Sequence, residues 1–106
     1  MPKYLIQASY SAEGARGLLK DGGSRRRQAA DELIKSLGGK TEGFYFAFGE
    51  SDAFVIVDAP DNVSAAAASL AVSASGLVAT KTTVLLTPEE IDQAAKRSAK
   101  YSPPGK

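Results

Sequence analysis

An α+β fold, four antiparallel strands in one sheet with helices on a single face, follows from three features of the sequence. Segments succeed one another as strand, helix, strand, strand, helix, strand. Each main helical segment carries one apolar stripe, enough to cover one side of a sheet. The strand segments are short and rich in β-branched and aromatic residues.

The first strand is Lys3–Tyr10, KYLIQASY. Ser11–Lys20 reads as a short helix buried through Ala15, Leu18 and Leu19. Gly22 and Gly23 stop it, and Ser24 is expected to cap a second helix. In that helix Ala30, Leu33, Ile34 and Leu37 recur at i, i+3, i+4 and i+7, and Gly38-Gly39 ends it.

Thr41–Phe48 and Ala53–Asp58 are the next strands, joined by the turn Gly49-Glu50-Ser51-Asp52. Asp61 or Asn62 then caps an alanine-rich helix with its stripe on Val63, Ala66, Ala67, Leu70, Ala71 and Ala74. Gly76 closes it, and Leu77–Leu86 supplies the fourth strand. Thr87, Pro88 and Glu90 form a capping-box start for a last helix running to about Lys100. The order is the split β-α-β-β-α-β of ferredoxin-like folds, with a C-terminal helix added. Residues 1–100 are read as one domain and 101–106 as a loose tail.

Composition narrows the chemistry. The 106 residues are 43% hydrophobic and 24% charged, with a formal net charge of +1. A chain of this length removes roughly 60–70% of its unfolded surface from water. Near-neutral charge favours neither nucleic acid nor an anionic membrane. No apolar run approaches the ~20 residues that span a bilayer. Met1–Tyr10 lacks the zones of a signal peptide, so a cytoplasmic protein is expected. With no cysteine, disulfides and thiolate chemistry are excluded. With no histidine, the commonest metal ligand and neutral-pH base are missing too. No metal site and no cofactor is expected, and catalysis would rest on Tyr, Asp, Glu, Lys, Arg or Ser.

The strands carry a second message. Phe44, Phe46 and Phe48 share one face of their strand, while Tyr45 and Ala47 take the other. Ala53, Val55 and Val57 likewise oppose Phe54 and Ile56. Both faces are apolar, yet crossover helices cover only one. A second copy of the sheet, packed about a two-fold axis, is the expected cover. The alternative is the C-terminal helix folded back over the open face.

Three stretches, MPKYLIQASYSAEGARGLLKDGGS, GGKTEGFYFAFGESDAFVIVD and TKTTVLLTPEEID, resemble the GYD-domain family of small bacterial proteins. The resemblance covers about residues 2–92. It implies a dimeric α/β-barrel, a ferredoxin-like protomer paired through its sheet, and brings no established activity with it. The family's Gly-Tyr-Asp signature corresponds to the turn at 49–52, where Ser51 stands in place of the tyrosine and Asp52 is kept.

Topology brings candidate residues to one rim: Tyr10 at a strand end, Arg25, Arg26 and Arg27 at a helix start, and Glu50 and Asp52 in the turn. Three cations in a first helical turn oppose the macrodipole. They read either as an anion site or as solvated stems paired with Asp21, Asp31, Glu50 or Asp52. Asp52 reads as the hydrogen-bonding anchor of its turn, neutralising the arginines. Tyr4 and Tyr10 share a strand face with Ile6 and Ala8, Tyr45 points away from the phenylalanines, and Lys81 is a candidate cation beside them. The ligand-binding set is Tyr4, Tyr10, Arg26, Arg27, Tyr45, Asp52 and Lys81; no catalytic residue is assigned. Two functions fit. One is a homodimeric module that binds a small organic or anionic ligand or regulates a partner. The other is a cofactor-independent enzyme, monooxygenase- or isomerase-like, using a Tyr/Arg/Asp pocket, by fold-level analogy.

Overall fold

In the computed structural model, which describes residues 1–106, the elements are β1 (Lys3–Tyr10), α1 (Ala12–Asp21), α2 (Gly23–Ser36), β2 (Lys40–Phe46), β3 (Ala53–Asp58), α3 (Asn62–Ser73), β4 (Val78–Leu85) and α4 (Pro88–Ala95). The four strands form one sheet in the order β2-β3-β1-β4, and every neighbouring pair is antiparallel. This is the ferredoxin-like order, with the first strand in the interior of the sheet.

Register decides what each face carries, because directly opposed residues share a side. Tyr4 opposes Val57 and Val84; Ile6 opposes Val55 and Thr82; Ala8 opposes Ala53 and Thr80. This is the helix face, and Tyr4, Ile6, Val55 and Val57 join Ile34 of α2 and Ala65 and Ala68 of α3 in one core. The other face carries Leu5 opposite Ile56 and Thr83, Gln7 opposite Phe54 and Lys81, Tyr45 opposite Phe54, and Leu85 opposite Lys3. At its edge a register shift between Thr41 and Gly43 lets Glu42 reach Lys3, whose ammonium lies 2.7 Å from Glu42 and 2.8 Å from Asp58. The hydrogen bond to Asp58, then that to Glu42, holds the Lys3 ammonium above the usual lysine range.

Helix starts follow side-chain chemistry. Ser11 caps α1 by accepting from Gly14, Asp61 caps α3 by accepting from Ser64, and Thr87 with Glu90 completes a capping box on α4. The expected cap at Ser24 is not made. The cap lies two residues earlier, at Gly22 with φ 84°, α2 begins at Gly23, and no side chain caps it. Only glycine takes that left-handed backbone without strain, and α1 passes into α2 through this single residue.

Two buried faces differ from the sequence expectation. α1 packs through Gly14, and Leu19 is 86% exposed. A Cβ on Gly14 would overlap the Leu77 carbonyl oxygen, so the absence of a side chain is what allows α1 to dock there. α3 buries Ala65 and Ala68, leaving Val63 78% and Leu70 70% exposed.

α4 ends at Ala95, short of Lys100. It does not fold back over the sheet. Every residue from Pro88 to Lys106 is exposed, and the molecule is drawn out to 57 × 33 × 22 Å.

Candidate functional site

Where α2 and α3 cross the sheet, small residues leave a gap. Ala29 and Ala30 of α2 and Ala68 of α3 cannot fill the space above Ile6, Ala8 and Val55. The result is a cavity of about 120 Å³, closed further by Leu33, Ile34, Val72 and Val78. Its polar groups are few: Tyr10, Arg26, Ser69 and Thr80. The volume lies below the ~300 Å³ of drug-sized pockets, so it suits a small guest only. Tyr10, Val78 and Thr80 also wall an open groove beside it, whose other lining includes Ser9, Ser11, Ser73 and Gly76.

Two of these polar groups converge as topology predicts. β1 runs to its end at Tyr10 and α2 begins close by, so Tyr10 and Arg26 line the same cavity. Arg26 stands in a first turn that holds no acidic residue. Its contact with a carboxylate is Asp21, at 4.0 Å, longer than a hydrogen bond. Ser69 is engaged with the Thr82 hydroxyl at 2.9 Å.

The turn at 49–52 serves the sheet. The Asp52 carboxylate accepts the Tyr10 backbone N–H at 2.8 Å, and the Asp52 N–H donates to the Ala8 carbonyl at 2.8 Å. Ser9 ties the same turn through the Glu50 carbonyl, and Gly49 takes φ 112°. The expected neutralisation of the arginines by Asp52 is absent. Arg26 faces Asp21, and Arg27 faces Asp31 at 3.8 Å, one turn along its own helix.

The remaining candidates lie apart. Tyr4 is 1% exposed and donates its hydroxyl to Asn62 at 2.6 Å, which makes it a tether between β1 and α3. Arg27 lines a shallow surface depression with Ser24 and Phe46, outside the cavity. Tyr45 and Lys81 sit on the open face, on the other side of the sheet from the cavity. Ser69 and Thr80 were not among the sequence candidates. Thr80 alternates with Lys81 along β4, but only its pairing with Ala8 reveals that it faces the helices.

The family model of the GYD domain matches residues 4–95. The chain belongs to the GYD-domain family. No curated protein and no solved structure matches it. In this GYD domain no helix is long and apolar enough to cross a membrane. No cluster of three or more acidic side chains is placed to hold a metal ion. The signature turn carries Ser51 where the resemblance places a tyrosine, and the Ser51 hydroxyl reaches Gln7 at 3.4 Å, on the open face.

Proposed function

We propose that this GYD domain is a homodimeric binding module, paired through the open faces of its sheets, with one small organic guest in the cavity of each protomer. The observation that carries the binding function is the cavity, a partly open apolar pocket with Arg26 and Tyr10 in its wall. Pairing is supported by the open face, where Tyr45 is 70% exposed beside Phe54, Ile56 and Leu5 and α4 leaves the surface uncovered. Two such faces packed about a two-fold axis bury both apolar centres at once. A bacterial setting, which follows the family resemblance, and a cytoplasmic one are part of this reading.

Two measurements test it. Light scattering at micromolar concentration is expected to give twice the 11.0 kDa of one chain, and Tyr45→Glu with Ile56→Glu is expected to halve that mass. A wild-type mass of one chain overturns the pairing. Benzene, a neutral probe of the size that enters apolar cavities of about 150 Å³, is expected to shift the NMR signals of Ile6, Ala30 and Ala68. Ala68→Val and Ala30→Val are each expected to weaken that response. Unchanged spectra at saturating benzene overturn the cavity as a binding site.

A further inference from the structure

We infer that the guest of this cavity is a small monocarboxylate, with its apolar body under α2 and α3 and its carboxylate on Arg26. The inference rests on the binding function proposed above and specifies its ligand.

The lining sets the class. Eleven of the 14 residues around the cavity are hydrophobic, Tyr10 counted among them for its ring, so most of the guest must be hydrocarbon. A volume of about 120 Å³ is slightly below that of a cavity that holds benzene, which limits the apolar body to on the order of five carbon atoms. One end meets a permanent cation. The Arg26 side chain is 38% exposed, and its carboxylate contact, Asp21, is at 4.0 Å. Its fork of N–H donors is therefore largely unspent within the protein.

Geometry chooses among anions. A single guanidinium presents two parallel N–H donors, which match the two oxygens of a carboxylate. A phosphate dianion brings more charge and more acceptor oxygens than one fork can satisfy in an apolar wall. Asp21 does not cancel the cation, since an ion contact at that distance and exposure is weak. Tyr10 and Thr80 line the same cavity and carry hydroxyl groups. A space of about 120 Å³ with so apolar a lining also excludes a peptide C-terminus, whose amide groups would be buried without partners.

The probes are 3-methylbutanoate, 3-methyl-1-butanol and 3-methylbutylamine, matched in apolar body and differing in end group. Binding is read by NMR titration at pH 7 on the full chain. The carboxylate is expected to bind at least tenfold more tightly than the alcohol, with the amine weakest. Arg26→Met keeps an apolar stem and is expected to bring the carboxylate down to the alcohol's affinity while leaving the alcohol unchanged. Arg26→Gln, polar but uncharged, is expected to do the same. Equal affinities for carboxylate and alcohol in the wild type overturn the inference, as does an equal loss of both in the variants. If benzene still binds in that case, the cavity function stands and only the ligand class falls. If neither benzene nor any of the three binds, both fall.

Discussion

The Asp52 carboxylate accepts the Tyr10 backbone N–H at 2.8 Å, and so continues the β1 ladder beyond Ala53, the first residue of β3. A side chain thereby does for Tyr10 what a strand would otherwise do. Asp52→Ala leaves that N–H without its partner and is expected to cost about 1–3 kcal/mol. Asp52→Asn, which keeps an acceptor, should recover most of the loss. Urea midpoints of the three proteins, at fixed protein concentration, measure this. Amide exchange at Tyr10 should accelerate in the alanine variant alone.

Tyr4 should behave as a tether and not as a ligand group. Tyr4→Phe removes one hydrogen bond while Asn62, an exposed residue, regains water. The expected cost is about 1 kcal/mol. A double-mutant cycle with Asn62→Ala should assign most of it to the pair. Benzene affinity should be unchanged.

Gly14→Ala tests the docking of α1. The new methyl group meets the Leu77 carbonyl oxygen, backbone that cannot rotate away. Overpacking of this kind costs about 1–3 kcal/mol. Gly17→Ala, on the same helix but with nothing within 4 Å, should stabilise slightly or be neutral, since alanine is the better helix former. Thermal melts of the two variants should move in opposite directions or differ by several degrees.

Asp61 makes the start of α3 sensitive to acid. The Ser64 backbone N–H, donating to its carboxylate, holds the Asp61 pKa below the ordinary value. The stabilisation is present above the unfolded-state pKa, roughly 3.9, and is lost as pH falls through the lower folded value. Asp61→Ala should therefore melt below wild type at pH 7, and the gap should narrow as pH falls below the unfolded-state value. Melting curves across pH 2–7 check the sign. The Lys3 ammonium, raised by its partners, works the other way: its contribution is full below the unfolded lysine value and is lost only as pH rises beyond it.

Most of this fold is legible in the sequence, and what is not has particular causes. β1 and β3 keep their expected bounds because their alternating side chains admit one pleat only. α3 misleads because a helix of alanines is nearly as apolar on every side, so Val63 and Leu70 attract the stripe although Ala65 and Ala68 make the contact. α1 misleads in the opposite way. Its packing face is glycine, which no search for apolar side chains detects. At the site, the meeting of Tyr10 and Arg26 follows from strand and helix direction alone. The partner of Asp52 does not, because a backbone N–H looks the same in every residue type. Lys81 sits on the open face through the pairing of β4 with β1, and a one-residue slip would have turned it to the cavity side.

The arm formed by α4 and the residues after it changes how large one chain looks in solution. The radius of gyration is 16.9 Å, against about 13 Å for a compact chain of this length. A compact body with the larger value would hold about 210 residues, two chains' worth. A lone protomer with its arm extended would therefore elute from a calibrated sizing column near the position of a compact dimer. Elution volume alone would count the arm as a second subunit, whereas an absolute mass counts chains.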